Sequence, residues 1–229
     1  MILSLLQDGL TRNDLVMMLL TIPVVLISLC FHELSHGFIA YKLGDPTAKW
    51  HGRLTLNPIK HLDPLGTLSM ALFGIGWAKP VPVNVRNFKN PKKGMAIVGI
   101  AGPVSNLILA FIGSILHRIT WVIATSKPVT DERVFFAFQI LIWLFYMFEY
   151  LNIYLAVFNL IPVPPFDGSR IFYFLLPDKY YFGVMRYERQ IMLITMALLF
   201  TGALRLPLTF ITDKIMWLFD LVIGLVPFL

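Results

Sequence analysis

The sequence predicts an all-α polytopic membrane protein, and three observations carry that prediction. Of the 229 residues, 57% are apolar and 14% are charged, against about 25% charged in an ordinary soluble domain. Mean hydropathy is +0.74. Apolar runs long enough to cross a bilayer recur along the chain. This pattern excludes a disordered chain, a coiled coil and, because Cys30 is the single cysteine, a scaffold built on disulfides.

Five apolar regions give the expected membrane elements in chain order. The run 15–43 is a retained membrane helix, because it is too long for a signal peptide and lacks a basic leader. The run 64–77 is short and contains glycines, so it is re-entrant or interfacial. The runs 94–124 and 134–163 each contain one span. The last region, 191–229, is interrupted by glycine, proline and charged residues. It forms either one span with an interfacial helix or a helical hairpin.

The segment 78–85 lies between the second and third of these runs. Pro80 and Pro82 occupy alternate positions in it, which suits an extended edge segment and excludes a regular helix. The sequence therefore predicts a short extended or β segment at this point of the chain.

Basic residues concentrate in the stretch 42–93, which holds nine of the 19 lysines and arginines against two acidic residues. Membrane proteins keep such loops in the cytoplasm. We therefore expect this stretch and the loop 164–190 to face the cytoplasm, and the loop 117–133 to face away. The net charge of +6 follows from this asymmetry, so a nucleic-acid partner is not expected.

The first predicted span carries a metal-binding motif, His32-Glu33-Leu34-Ser35-His36. At about 100° per residue the two histidines lie about 40° apart around the helix axis, so both imidazoles can reach one metal ion. Glu33 lies beside them, within reach of a water on the metal, which suits a general base. Ionisable groups inside a membrane span are costly without a partner. That cost favours a metal site over ordinary packing.

A catalytic zinc site of this kind needs a third protein ligand and an open position for water. Asp167 is the candidate, because it follows a predicted span on the same side of the membrane as the histidine pair. Prolines just before it preclude a regular helix, and irregular backbone at membrane depth must pack in protein or line a wet cavity. Asp167 followed by Gly168 also has the pattern of a helix N-cap. Spacing alone leaves cap and ligand equally open.

These residues together resemble the site-2 protease family of intramembrane zinc metalloproteases. Three motifs in three separate predicted spans carry the resemblance: His32-Glu33-x-x-His36-x-x-x-Ala40, Gly102-Pro103-x-x-Asn106, and Asn159-x-x-Pro162-x-Pro164-x-x-Asp167-Gly168. Phe166 stands where the third motif usually has leucine. The stretches 57–67 and 78–84 look like the compact bacterial branch without a PDZ domain, although Val85 stands where that branch often has proline.

The resemblance covers about residues 20–180 and implies a three-helix catalytic core at about 15–43, 94–118 and 134–162. We expect one domain, 1–229, in which the core extends over about 15–180. Additional membrane helices are expected in the C-terminal region, about 191–229.

The resemblance also implies a set of site residues. His32, His36 and Asp167 would bind one zinc ion per chain, with water in the fourth position. Glu33 would be the general base. Asn159 matches the family position proposed to steady the substrate or the oxyanion, and Asn106 is a second candidate for that role.

Other polar residues carry weaker expectations. Glu149, Asn152 and Asn159 follow a helical spacing and form one polar stripe on the third core helix. Glu149 is expected to be a snorkelling or interfacial group near the outer end of that helix, in preference to a carboxyl facing the bundle. His51 and His61 are expected to make loop hydrogen bonds and not to touch the site.

The expected function is a zinc-dependent intramembrane endopeptidase acting on single-pass membrane proteins. Its expected partners are such a substrate and the lipid bilayer. Its expected location is a bacterial plasma membrane, with the active site toward the cytoplasm and an oligomeric state that the sequence leaves open. Two alternatives remain. A non-catalytic zinc-binding adaptor would not require Glu33, and a metal-ion transporter would carry polar residues through the whole membrane depth.

Overall fold

A computed structural model describes residues 12–73, 76–126, 128 and 130–225 of the chain. Within these ranges the protein is built from α-helices, two short 3-10 turns and connecting loops, and it contains no strand. The predicted all-α class is confirmed. The helices are α1 Arg12–Lys42, α2 Thr47–Trp50, α3 Pro64–Phe73, α4 Pro91–Ser126, α5 Glu132–Asn159, α6 Gly168–Leu175, α7 Asp178–Arg186, α8 Glu188–Phe200 and α9 Arg205–Gly224.

Three helices of the described chain are long and apolar enough to cross a membrane, in the ranges Leu19–Lys42, Pro91–Ser126 and Glu132–Asn159. They correspond to the three predicted core helices. The second is longer than predicted at both ends. All three pack against one another, and the α4–α5 contact is the most extensive.

Small residues allow α4 to approach its neighbours closely. Its buried face carries Gly99, Gly102, Ala110 and Gly113. A Cβ atom built on Gly113 would lie 3.0 Å from the Phe148 ring and 3.1 Å from a backbone nitrogen of α5. Helices in lipid associate through such packing because water provides no hydrophobic drive between them. The glycine face therefore sets the spacing of the core.

The predicted extended segment is irregular backbone held by the preceding loop. Its one ladder contact in the described residues is an isolated antiparallel bridge between Leu62 and Ala78. The Lys79 N–H donates to the His61 carbonyl at 2.9 Å, and an Arg53 Nη donates to the Lys79 carbonyl at 2.6 Å. The β character predicted here is thus confined to a single bridge.

The C-terminal region forms two helices, α8 and α9, joined by the turn 201–204. Gly202 in that turn has φ = 73°, a conformation that glycine adopts without strain. Leu208 of α9 packs into a buried cluster with Ala110 of α4 and Ile153 of α5. The last helix is thereby attached to the core. The calls on residues 1–11 and 226–229 lie outside the described residues.

Candidate metal centre

Three side chains from two distant parts of the chain converge at one end of the core. The sequence predicts that this end faces the cytoplasm. The Nε2 atoms of His32 and His36, one turn apart on α1, are 3.0 Å from each other. Asp167 Oδ2 lies 3.0 Å from the first and 3.1 Å from the second. Both histidines are buried and Asp167 is partly buried. In the part of the chain that the structure describes, this is the one group of three or more His, Cys, Asp or Glu side chains arranged to hold a metal.

The outer nitrogens of the two imidazoles are already committed to hydrogen bonds. His36 Nδ1 lies 2.8 Å from the Val98 carbonyl oxygen, which can only accept, so Nδ1 carries the proton and donates it. His32 Nδ1 lies 2.7 Å from Asn106 Oδ1 and donates to it. In the neutral imidazoles each Nε2 therefore presents a lone pair. Two nitrogen lone pairs and a carboxylate oxygen point at one spot.

Such a convergence of acceptors fits a divalent cation. Zinc at about 2.0–2.2 Å from tetrahedral ligands places those ligand atoms about 3.3–3.6 Å apart, a few tenths of an ångström beyond the observed 3.0–3.1 Å. Asp167 Oδ2 is buried and makes no hydrogen bond of acceptable geometry in the described structure. Two imidazoles and one carboxylate are also a donor set of catalytic zinc sites. The residues present fit the metal that the motif implies.

Burial raises the pKa of the Asp167 carboxyl, but hydrogen bonds and positive charge from His32 and His36, in the protonated form that they take when no metal is bound, outweigh burial and hold that pKa well below its ordinary value. The group is therefore an anion at neutral pH. Asp167 also occupies the N-cap position of α6, yet its side chain makes no capping hydrogen bond. The carboxylate is directed at the histidine pair instead.

Glycines allow the surrounding backbone to come close to this cluster. A Cβ atom on Gly102 of α4 would lie 2.5 Å from His32 Cε1 and 2.5 Å from His36 Nε2. A Cβ atom on Gly168 would lie 2.2 Å from the Leu160 carbonyl oxygen, so the loop that carries the aspartate folds tightly back on the end of α5. Neither position accepts a larger residue without movement.

Glu33 is partly buried, and its Oε2 accepts a hydrogen bond of 2.9 Å from the Val81 N–H. The candidate base therefore touches the backbone of the extended segment. Sequence analysis did not reveal this contact, because it joins residues 48 positions apart and uses a backbone atom of one partner.

The two asparagines proposed for catalysis occupy different surroundings. Asn159 is partly buried, and its Nδ2 donates to the Leu155 carbonyl at 2.9 Å. Asn106 is fully buried. Its Oδ1 accepts from His32, and its Nδ2 donates to the Ser28 carbonyl at 3.2 Å and to Asn152 Oδ1 at 2.8 Å. Both amide hydrogens of Asn106 are therefore used within the core.

Other polar residues are placed as follows. Glu149 is 1% exposed, so the expectation of a snorkelling group is wrong. The close approach of α4 at Gly113 encloses this carboxyl in the bundle, where it lies 3.9 Å from His117 Nδ1.

His51 and His61 make loop hydrogen bonds to the Thr47 and Thr55 carbonyls, as expected. Sequence analysis gave no role to Ser28 or Asn152, although Asn152 belonged to the predicted polar stripe.

The chain is similar to several known proteins. The model of peptidase family M50 matches residues 122–202. "Putative zinc metalloprotease YwhC" of Bacillus subtilis (strain 168) is 49% identical over 158 residues, covering 67% of this chain and 67% of that protein. "Putative zinc metalloprotease Rip2" of Mycolicibacterium smegmatis is 32% identical over 155 residues, covering 66% of this chain and 54% of that protein.

An archaeal relative extends the range of similar sequences. "Putative zinc metalloprotease MJ0611" of Methanocaldococcus jannaschii is 30% identical over 144 residues, covering 62% of each chain. The matched part thus spans between about half and two thirds of the length of these relatives. No solved structure gives a significant match.

Proposed function

Because the chain belongs to peptidase family M50, the site-2 protease family of zinc metalloendopeptidases, we propose that it hydrolyses peptide bonds in or near the transmembrane segments of single-pass membrane proteins. One observation carries the proposal: two lone-pair nitrogens and a carboxylate converge within 3.1 Å of one another beside a second carboxylate. The cluster is built on helices long and apolar enough to cross a membrane: α1 carries the histidines, α4 approaches them at Gly102, and the aspartate follows α5. Such a site suits a substrate that is itself embedded in lipid.

His32, His36 and Asp167 would hold one zinc ion per chain. When bound, that ion supplies a Lewis acid for the scissile carbonyl and makes a nearby water more acidic. The chain's own contribution is to hold the three ligand atoms together. The α1 helical turn fixes the spacing of the imidazoles, Val98 and Asn106 fix their ring orientation, and the α5–α6 loop brings in the aspartate.

Glu33 is the proposed general base. It follows the first ligand by one residue, so its carboxylate lies beside the cluster and not in it. It would take a proton from the attacking water and return that proton to the leaving amine nitrogen, which completes hydrolysis with no net proton change. The Val81 N–H holds one of its oxygens, which limits the rotamers available to the base.

Asn159 is the proposed donor toward the substrate or the developing oxyanion. Its Nδ2 carries two hydrogens and makes one hydrogen bond in the described structure. A single donor of this kind is worth about 3–4 kcal/mol of activation barrier. Asn106 stays a second candidate from the sequence, but its amide hydrogens are engaged, so we assign its effect to the orientation of His32.

We also propose that the extended segment 78–85 pairs with an unwound stretch of the substrate. A peptide bond in a transmembrane helix is shielded by its hydrogen bonds and must be exposed before cleavage. Added-strand pairing would hold such a stretch open. The segment contains no regular helix from 78 to 84, carries the bridge at Ala78, and touches the proposed base through the Val81 N–H. The proposed setting is a bacterial plasma membrane with this face toward the cytoplasm.

The decisive experiment compares purified wild type, Glu33→Gln and Asp167→Ala in metal analysis and in cleavage of transmembrane peptides. Glu33→Gln should retain zinc and lose cleavage, because the amide keeps the shape but cannot take the proton. Asp167→Ala should lose both. Cleavage by Glu33→Gln would refute the assignment of the base. Metal flux in proteoliposomes, without proteolysis by the wild type, would identify a transporter instead.

A further inference from the structure

We propose that Asn152 is a positioning residue for His32, acting through Asn106. This inference rests on the proposed function, because it takes His32 as a metal ligand. The hydrogen bonds form a circuit that leaves α1 at Ser28, crosses to Asn152 on α5 and Asn106 on α4, and returns to α1 at His32. Ser28 and His32 are one helical turn apart, so the circuit closes on the helix that bears the first ligand.

The orientation of the Asn106 amide is set by what surrounds it. Its nitrogen faces the Ser28 carbonyl oxygen at 3.2 Å. A backbone carbonyl can only accept, so the atom facing it must be the NH2 group. Asn106 Oδ1 is therefore the atom that faces His32 Nδ1 at 2.7 Å. That oxygen can only accept, which places the imidazole proton on Nδ1 and leaves Nε2 open for the metal.

Asn152 provides the second hydrogen-bond partner of the Asn106 NH2 group. Its Oδ1 accepts from Asn106 at 2.8 Å. The orientation of Asn152 is in turn determined by backbone, because its Nδ2 donates to the Phe148 carbonyl at 2.8 Å. The same Nδ2 donates to Ser28 Oγ at 2.8 Å. Ser28 Oγ donates onward to the Val24 carbonyl at 2.7 Å. Asn106, Asn152 and Ser28 thus each also donate to a backbone carbonyl, which fixes the orientation of each side chain.

Burial restricts the orientations that the amides of the circuit can adopt. Ser28, Asn106 and Asn152 are each 0% exposed, and they lie in three different membrane-spanning helices. A buried amide that loses a partner keeps an unsatisfied group, because burial keeps solvent from replacing the partner. The amides therefore keep one arrangement. A residue that accepts from Asn106 and donates to Ser28 is needed at position 152, and asparagine does both.

Without Asn152, the Asn106 amide has one anchor instead of two and can turn its NH2 group toward His32. An NH2 group facing Nδ1 favours the opposite imidazole tautomer, in which the proton lies on the nitrogen that should bind the metal. Changes to groups that orient a metal-binding histidine typically lower metal affinity about 10- to 100-fold. We expect the same loss when the circuit is broken at Asn152.

The test measures Co²⁺ affinity by chelator competition, together with the absorption spectrum of the Co²⁺-loaded protein, in full-length chains in detergent. The variants are Asn152→Leu, Asn152→Ser and the control Ile153→Ala. Leucine keeps the branching at Cγ, although it is larger, and removes every side-chain hydrogen bond. Serine keeps a hydroxyl that accepts from Asn106 and donates to Phe148. Ile153 is the neighbouring fully buried residue, so its truncation perturbs packing without touching the circuit.

We expect Asn152→Leu to weaken Co²⁺ binding about 10- to 100-fold and to alter the spectrum, and Asn152→Ser to recover part of the affinity. Ile153→Ala should lower the unfolding midpoint and leave Co²⁺ affinity unchanged. Wild-type affinity in Asn152→Leu, or an equal loss in Ile153→Ala, overturns the inference. If Asn152→Leu does not fold, Ser28→Ala decides: it should weaken binding in the same direction, and unchanged affinity counts against the circuit.

The same measurements separate this inference from the proposed function. A wild type that binds neither Co²⁺ nor Zn²⁺ would refute the metal centre itself. A wild type that binds metal through His32, His36 and Asp167, with no dependence on Asn152, would refute the positioning role alone.

Discussion

The backbone N–H of Val81 donates a 2.9 Å hydrogen bond to Glu33 Oε2. Through this hydrogen bond the segment 78–85 contacts the proposed base, Glu33, directly. Val81 is itself buried, and its Cγ1 lies within reach of a Cβ built on Gly37, at 3.1 Å. Segment and helix α1 are therefore in contact at both a backbone and a side-chain atom.

Val81→Pro should reduce cleavage while zinc content stays at the wild-type level. Proline has no N–H, so Glu33 loses a donor, and hydrogen bonds to charged groups are worth about 1.5–3 kcal/mol, equivalent to roughly 10- to 100-fold in rate. Val81→Ala is the matched control, because it keeps the N–H and removes only side-chain volume.

Val83→Pro separates orientation of the base from pairing with substrate. It leaves the Val81 N–H in place but removes another donor from the edge of the segment. Loss of cleavage in both proline variants supports substrate pairing. Wild-type cleavage in Val83→Pro would contradict the pairing proposal, and wild-type cleavage in Val81→Pro would contradict the role of the Val81 N–H in orienting the base.

Gly102→Ala should weaken metal binding. The added methyl would lie 2.5 Å from atoms of both His32 and His36, so the imidazoles must move, and metal affinity should fall about 10-fold or more. Gly113→Ala introduces a methyl that is less crowded but still tight on the same helix, 3.0 Å from the Phe148 ring. That control should cost about 1–3 kcal/mol of stability through overpacking and leave zinc affinity unchanged. Equal zinc loss in the two variants would point to a general effect on the helix.

Removal of zinc should destabilise the folded protein. A ligand present at about 100 times its dissociation constant stabilises the folded state by about 2.7 kcal/mol, and chelation removes that contribution. The midpoint of thermal unfolding in detergent should therefore fall when a chelator is added to the wild type. Asp167→Ala should show a much smaller fall. A wild-type midpoint that is insensitive to chelation would argue against a structurally coupled metal centre.

The folded protein should lose stability in acid through Asp45, which lies in the loop between α1 and α2. Burial alone would raise the pKa of this carboxyl, but hydrogen bonds from Thr47, Asn84 and Asn87 outweigh burial and hold its pKa below the ordinary value. The contribution of such a group is present above the unfolded-state pKa of about 3.9 and is lost as the pH falls through the lower folded-state value.

Asp45→Ala measures that contribution directly. At neutral pH the variant should be destabilised by about 1.5–3 kcal/mol, as expected for hydrogen bonds to a charged group. The difference between wild type and variant should shrink as the pH falls below about 4. Unfolding midpoints at several pH values check this, and a difference that is constant with pH would show that the charge of Asp45 is not the cause.

Local patterns were sufficient to predict the three long helices and the histidine pair of the cluster. Long apolar runs located α1, α4 and α5, because a span needs about 20 apolar residues. The spacing of His32 and His36, four residues apart, places both side chains on one helix face. For Asp167, spacing could not separate a helix cap from a ligand. The structure has it at a cap position without a capping bond, which only tertiary contacts could reveal.

Contacts between distant segments were beyond the reach of sequence patterns. Val81 and Val98 act through backbone atoms, which carry no residue signal. Asn152 was visible in a polar stripe, but the stripe did not say which helix its amide faces. Glu149 was misassigned because a carboxyl near the end of a span is usually interfacial, whereas the glycine face of α4 encloses it here.

The separation of the metal ligands along the chain has a consequence for biogenesis. The histidine pair enters the bilayer with α1, early in translation, whereas the aspartate follows α5. A nascent chain therefore synthesises all three long apolar helices and most of its length before it holds the three candidate ligands. Until Asp167 has been synthesised, the growing polypeptide lacks the third candidate ligand, so a complete metal centre can assemble only after α5.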